Sequence, residues 1–159
     1  MSEVRTLSAY LNYHLAGSTA GVSLIRRIAR TMDGRAEAGT VRRIATEVAE
    51  DRESLHRLMR ELRVARSPMR VLVAVVGSRA AQLQTRSPFL SRSGRLLLEV
   101  EAMRLGVEGK ACMWRALLSR PKSDTDSEAL SALLDRAQRQ LQALEEIRLQ
   151  LARETLLPG

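Results

Sequence analysis

The sequence predicts an all-α protein, namely an antiparallel four-helix bundle with an extra helical segment between its second and its central long helix. Apolar residues recur at helical spacing along four long stretches, which is the primary signature of amphipathic helices. Hydrophobic residues make up 45% of the chain but aromatic residues only 3%, so the core must be aliphatic, and this favours helices over sheets. A length of 159 residues suits one domain, residues 1–159, that can bury a sizeable core.

The first two helices are expected to form an antiparallel pair. The first runs from Thr6 to about Met32, and Gly34 just beyond it is suited to a left-handed helix cap. Thr40 is expected to cap the second helix, which continues to about Arg63. The connection between the two helices is short, and short connections favour antiparallel neighbours.

A basic segment, residues 67–93, separates the second helix from the central one and is expected to be helical because two Ser-Pro pairs mark helix starts. No acidic residue lies between Glu61 and Glu99, and the net charge of the chain is +8. This distribution predicts a surface for an anionic partner such as nucleic acid, anionic lipid or an acidic protein, although aromatic residues for base stacking are missing. The candidate basic surface comprises Arg63, Arg66, Arg70, Arg79, Arg86, Arg92 and Arg95.

The central helix, Arg95 to Leu118, is apolar on two opposite faces. One face carries Leu98, Ala102, Leu105, Gly109, Cys112, Met113 and Ala116, and the other carries Leu96, Val100, Met103, Val107, Trp114 and Leu118. A helix that is apolar nearly all round is covered by protein on more than one side. We therefore expect one face to meet the core and the second to meet a partner chain, with Met103, Val107 and Trp114 at the centre of a homodimer interface. Alternatively, the basic segment folds back over this face and leaves a monomer. Cys112 is expected to be a small buried residue.

The last helix is expected from about Ser127 to Leu156, after a polar linker. Several polar residues interrupt the inward faces of the predicted helices, and buried charges normally need partners. They are expected to form an ion-pair layer across the bundle, in which Arg52 or Arg148 meets Glu101 and Asp51, or else to line a ligand site. The predicted inward polar layer comprises His14, Asp51, Arg52, Glu101 and Arg148.

The sequence contains few residues with the spacing of metal ligands. Glu53 and His56 have the i, i+3 spacing of ferritin-type ligands, but only one such pair exists where a di-metal site uses two. His14 and Glu101 complete the set of candidate metal ligands without forming a convincing site. No phosphate-binding glycine loop, nucleophile triad or cysteine-based zinc spacing occurs, so we expect no cofactor and no enzymatic activity.

Three segments carry a resemblance to a known group of proteins. Residues 10–21 (YLNYHLAGSTAG), 47–64 (EVAEDRESLHRLMRELRV) and 98–117 (LEVEAMRLGVEGKACMWRAL) resemble small bacterial proteins of unassigned function with a ferritin-like helical bundle. The resemblance implies the bundle fold and no activity. It departs from true ferritins because the first helix offers His14 but no inward carboxylate, which implies a metal-free version.

The function that the sequence favours is a non-enzymatic helical scaffold that associates with itself or another protein through the central helix. Two alternatives are a ferritin-like metal or small-ligand binder that uses His14 with carboxylates, and a binder of anionic surfaces through the Arg63–Arg95 region. No apolar run approaches the length of a membrane span, and the first residues lack the apolar core of a secretory signal, so a cytoplasmic protein is expected.

Overall fold

A computed structural model describes residues 2–65, 90–120 and 124–156, and these ranges contain four α-helices and no strand. The helices are α1 (Ser2–Thr31), α2 (Ala38–Glu61), α3 (Arg92–Leu118) and α4 (Asp124–Leu156). The all-α class is confirmed. Most of the predicted basic helical segment, residues 67–89, lies outside the described residues.

The helix ends follow local backbone chemistry. Gly34 has φ +83°, a left-handed conformation that glycine adopts without strain, so it ends the first helical stretch as predicted. The predicted cap at Thr40 is wrong, because α2 begins earlier and its N-cap residue, Glu37, makes no side-chain cap bond. The central helix also begins earlier than predicted, because the Ser91 hydroxyl accepts a hydrogen bond of 3.0 Å from the Gly94 backbone amide.

The four helices pack against one another within the single chain. The contact between α3 and α4 is the most extensive, α1 packs against both α2 and α3, and α2 meets α4 at only a few positions. Contacts between α1 and α3 run in opposite order along the two helices: Gly21 faces the Met103 methyl group, whereas the later Arg27 pairs with the earlier Glu99 at 3.0 Å. This reversed order shows that α1 and α3 run antiparallel.

Among the described residues, the buried core is aliphatic apart from Trp114, and every described helix contributes to it. This agrees with the composition of the chain and with the four predicted apolar stripes. The largest fully buried side chains are Trp114, Leu11, Ile25, Ile28, Met32, Ile44, Leu55, Met59, Met113, Leu117, Leu144 and Leu151.

The assignment of the two faces of α3 is corrected by the structure. Met103, Val107 and Trp114 are 3%, 1% and 0% exposed, so they pack inside the chain and are wrong as interface residues. The physical reason is that α1 and α4 flank α3 on both sides and turn this face into the core. On the opposite face Met113 is buried too, but the other residues are partly or fully exposed: Leu105 is 69% exposed, and Cys112, predicted to be buried, is exposed as well.

The inward and outward faces of α3 can be told apart by matched substitutions. Val107→Glu places a charge in the core, and we expect it to lower the free energy of unfolding by about 4 kcal/mol or more. Leu105→Glu changes an exposed side chain and should alter that free energy by less than about 0.5 kcal/mol. Urea denaturation followed by circular dichroism measures both. A stable Val107→Glu variant that only changes its mass in solution would contradict the corrected assignment.

Candidate functional site

The buried carboxylate of Asp51 is the centre of the strongest polar cluster in the described part of the chain. Asp51 belongs to α2 and is 2% exposed. The Lys110 ammonium of α3 donates to its Oδ2 at 2.5 Å, and the Arg136 guanidinium of α4 pairs with its Oδ1. The side-chain amide of Gln140 donates to Oδ2 at 3.3 Å. Three helices therefore converge on one carboxylate.

Gln140 of α4 is fully buried and connects the charged members of the cluster. Its amide oxygen accepts a hydrogen bond of 2.6 Å from Lys110, and its nitrogen donates to Glu47 at 3.0 Å as well as to Asp51. An amide nitrogen has two donors and the oxygen accepts, so both ends of this side chain are satisfied. A buried glutamine with complete partners specifies one arrangement of the helices that supply them.

The cluster continues to the surface through two further ion pairs. Arg136 also pairs with Glu50 at 2.9 Å, and Arg43 pairs with Glu47 at 2.9 Å. Three carboxylates thus face three cations, and the charges balance. The members of this polar network are Arg43, Glu47, Glu50, Asp51, Lys110, Arg136 and Gln140. A closed and balanced network is suited to holding helices together.

Burial acts on the proton affinities within the polar network. It lowers the pKa of the Lys110 ammonium, and the charge of Asp51 and its hydrogen bond only partly offset this effect. Burial alone would raise the pKa of Glu47, but hydrogen bonds from Gln140 and Arg43 outweigh it and lower the pKa of that carboxyl. The Asp51 carboxylate is therefore the main group that favours the charged form of Lys110 against the effect of burial.

Only part of the predicted inward polar layer belongs to this network. Asp51 is buried as expected, but its predicted partners, Arg52 and Arg148, are wrong. Arg52 lies beside an open depression on the side of α2, together with Arg26 and Arg57. It misses the network because it follows Asp51 by one residue, a rotation of about 100° around the helix.

The predicted pair of Arg148 with Glu101 does form, but at the flank between α3 and α4. Its closest atoms are 3.6 Å apart, and Arg148 makes shorter contacts with Glu145. Arg104 joins the same group by pairing with Glu145 at 2.9 Å. These side chains are partly exposed, so they form a surface ion-pair group separate from the polar network.

His14 lies apart from both groups. It is half-buried, and the edges of Tyr10 and Tyr13 approach its ring with centroid distances of 4.7 and 5.4 Å. Burial lowers the pKa of the imidazole, which favours the neutral ring. His14 is therefore a packing residue of α1 in this structure, and its predicted place in the ion-pair layer is wrong.

The four candidate metal ligands do not come together. Glu53 is exposed, His56 is buried, and His14 and Glu101 lie on other helices. Within residues 2–65, 90–120 and 124–156, no group of three or more His, Cys, Asp or Glu side chains is placed to hold a metal ion.

Sequence reasoning missed Glu47, Lys110, Arg136 and Gln140. Two signals were available: Gln140 interrupts the apolar stripe of the last helix, and Arg136 precedes it by one turn just as Glu47 precedes Asp51. Such i, i+4 pairs lie on one helix face. The position of Lys110 gave no such signal, because its Cα lies beside the core-facing residues of α3 and only its long side chain reaches inward.

The outward face of α3 is the second candidate site. We call its residues the outward stripe: Leu98, Ala102, Leu105, Gly109, Cys112 and Ala116. Leu105 at its middle is 69% exposed, and a Cβ added at Gly106 or Gly109 would meet no atom within 4 Å. The middle of this face, around Leu105, Gly106 and Gly109, thus leaves open space for another helix.

The predicted basic surface is described only at its ends. Arg63, Arg92 and Arg95 are exposed, whereas Arg66, Arg70, Arg79 and Arg86 lie outside the described residues. Binding of an anionic partner by this region stays a prediction. None of the helices in the described ranges is long and apolar enough to span a membrane.

Comparisons of this chain with protein-family models, with curated proteins and with solved structures find no match. The resemblance to small ferritin-like bacterial proteins therefore stays a prediction, and the geometry of the described residues is the basis for function.

Removing the central carboxylate should destabilise the fold strongly. Asp51→Asn removes the only charged acceptor that Lys110 bonds directly and leaves it neutral amide oxygens, and loss of one partner of a buried pair costs about 3–5 kcal/mol. Lys110→Met should cost less, because Asp51 keeps Arg136 and Gln140. Denaturant unfolding of the two variants and of the double variant measures these differences.

The matched control is the exposed ion pair between Glu108 and Arg115, with closest atoms 3.2 Å apart. Glu108→Gln should lower the free energy of unfolding by less than about 1 kcal/mol, because exposed pairs contribute little. An Asp51→Asn variant no less stable than this control would show that the polar network does not hold the helices together.

Acid should destabilise the protein through its hydrogen-bonded carboxyls. Glu145 and Glu154 have lowered pKa values because Arg148 and Arg35 donate hydrogen bonds to them, and the pKa of Glu47 is lowered too. The unfolded chain then binds more protons than the folded chain in acid, so stability is present above about pH 4.5 and is lost below it. Thermal melting at several pH values measures this, and an unchanged melting temperature down to about pH 3 would contradict it.

Proposed function

We propose that this protein is a non-enzymatic helical scaffold, and that the outward stripe of α3 is its docking surface for a second copy of the chain. The polar network fixes the helices that present this surface. Self-association thus takes place on the face of the central helix opposite to the one that the sequence favoured.

The exposure of Leu105 carries the proposal. Other large apolar residues are exposed singly at the ends of helices or on other faces, which is common in soluble proteins. Leu105 instead lies within an apolar stripe whose members follow each other by alternating steps of four and three residues. That spacing is the signature of a helix that packs against another helix, as in coiled coils.

The polar network supports a scaffold more than a catalyst. Its charges balance, its buried glutamine has complete partners, and its lysine and aspartate bind each other. Catalytic groups need a free face toward a substrate, in a concave pocket. The depression beside Arg52 is open and shares only Arg136 and Glu50 with the network.

The proposed scaffold is an antiparallel bundle with the ferritin-like arrangement of one long crossover. The reversed order of contacts between α1 and α3 supports this, and α3 with α4 behaves likewise: Arg104 pairs with Glu145, whereas the later Lys110 bonds the earlier Gln140. Some thirty residues, 62–91, connect α2 to α3. Ferritin-like bundles use one such long connection between two antiparallel helix pairs.

The proposal predicts a concentration-dependent dimer. The proposed contact uses one helix from each copy, and interfaces below roughly 1,200 Å² are typically weak, so we expect dimers to accumulate only at high protein concentration. Leu105→Glu should shift the mass to that of one chain, because it places a charge at the centre of the apolar contact. Sedimentation equilibrium across a wide concentration range measures the mass.

The matched control is Leu156→Glu, since Leu156 is 65% exposed but lies at the end of α4, which packs beside Gly94 and therefore about three helical turns from Leu105. This variant should dimerise like the unmodified protein. A protein that stays monomeric at every concentration tested would overturn the proposed function.

A further inference from the structure

The outward stripe has an internal order that goes beyond its apolar character. Bulkier side chains occupy Leu98, Leu105 and Cys112, which are seven residues apart, and small residues occupy the positions between them. The small positions, also seven residues apart, are Ala102, Gly109 and Ala116. Bulky and small side chains therefore alternate along the exposed face, and such a surface is suited to interdigitation.

We infer that two copies pack with their α3 helices antiparallel, related by a two-fold axis at the level of Val107. This inference rests on the proposed function and specifies the geometry of that contact. A two-fold axis pairs each residue with the one equally far on the other side of residue 107. Leu105 then faces Gly109 of the second copy, Leu98 faces Ala116, and Cys112 faces Ala102. Every bulky side chain lies over a small one, which is the self-complementarity that a two-fold contact requires.

The two helices can approach closely at the axis. Gly106 lies one residue from the axis level, and neither it nor Gly109 has any atom within 4 Å of the position of an added Cβ. Small residues let helix backbones come close, and close approach increases the contact made by each Leu105.

The charges beside the stripe match the same pairing. Glu101 lies six residues before the level of the two-fold axis. It is therefore at the same level as residue 113 of the second copy, and Arg115 of that copy is two residues further along the helix. At 1.5 Å of rise per residue the offset is about 3 Å, within reach of an arginine side chain. Glu101 and Arg115 both belong to the α4 side of the stripe, and such positions meet in antiparallel pairs.

Arg115 can serve both carboxylates on this flank. In the single chain it pairs with Glu108 at 3.2 Å, and a guanidinium has five donors that can also reach Glu101 of the second copy. The two Glu108 side chains lie near the axis, where their like charges oppose association, and each is held by its own Arg115. The contact is therefore specific in geometry and weak in affinity.

A parallel pairing in register does not share this complementarity. Each residue would face its own copy, so that Gly109 would face Gly109 and leave a gap, while Cys112 would face Cys112. Glu101 and Arg115 would also lie about 21 Å apart along the helix axis. The two arrangements thus place Cys112 opposite different residues, and this difference can be tested.

The test uses disulfide formation on the full-length protein. Ala102→Cys places a second thiol opposite Cys112 of the second copy, and air oxidation with copper phenanthroline oxidises the two thiols while dioxygen is reduced. We expect Ala102→Cys to give a covalent dimer on a non-reducing gel. The unmodified protein and Ala116→Cys should stay monomeric on that gel, because in the antiparallel pairing their thiols are separated by at least about 15 Å along the axis.

Each outcome decides a different point. A covalent dimer of the unmodified protein, through Cys112 of both copies, would overturn the antiparallel pairing in favour of a parallel one. If Ala102→Cys fails to cross-link, or cross-links no faster than Ala116→Cys, while sedimentation shows a dimer, the inferred pairing is overturned and the proposed function stands. A protein that sediments as a monomer throughout overturns both.

Discussion

The carboxylate of Asp51 holds three of the four described helices in one arrangement. Lys110 reaches it from α3, Arg136 and Gln140 reach it from α4, and it is itself part of α2. The direct contact between α2 and α4 is otherwise limited, so the polar network supplies much of what joins these two helices. The apolar core gives the chain its compactness, and the polar network determines which turn of each helix lies beside which.

That role explains why charged groups are retained in a core that could be entirely apolar. Replacing a buried ion pair by apolar residues of similar size is often neutral or stabilising, so apolar residues at these positions could give the fold equal or greater stability. The apolar stripes of the helices repeat every turn, however, and a slip of one turn, about 5.4 Å, would keep many apolar contacts. The same slip would separate Asp51 from its cations. A penalty of about 3–5 kcal/mol for an uncompensated buried charge then favours a single register.

Much of the fold could be predicted from the sequence, because helical periodicity and capping residues act locally. Four helices, an aliphatic core and the turn at Gly34 follow from such local signals. The partners of Asp51 could not be predicted in this way. Lys110 and Gln140 lie 59 and 89 residues away in the chain, and long side chains meet only after the helices have taken their register. The sequence indicated that buried charges would pair but not which ones.

Helical periodicity could not predict which face of α3 is buried, but side-chain volume could have done so. Both faces have helical periodicity, so periodicity alone cannot tell which one is buried. Side-chain volume differs between them: the buried face carries Met103, Val107 and Trp114, whereas the outward stripe alternates large residues with alanine and glycine. Cores are filled to high density, so the face with more volume is the one expected inside.

The polar network and the outward stripe are linked through α3 itself. Lys110 is held on the inward side by Asp51 and Gln140, and this fixes the rotation of the helix about its own axis. A rotation of half a turn would bury Leu105 and expose Trp114, but it would also carry the Lys110 ammonium away from its acceptors. The ion pair that joins three helices thus also keeps the outward stripe at the surface. A helical scaffold that presents an apolar face needs such a constraint, because the hydrophobic effect alone favours burying whichever face is apolar.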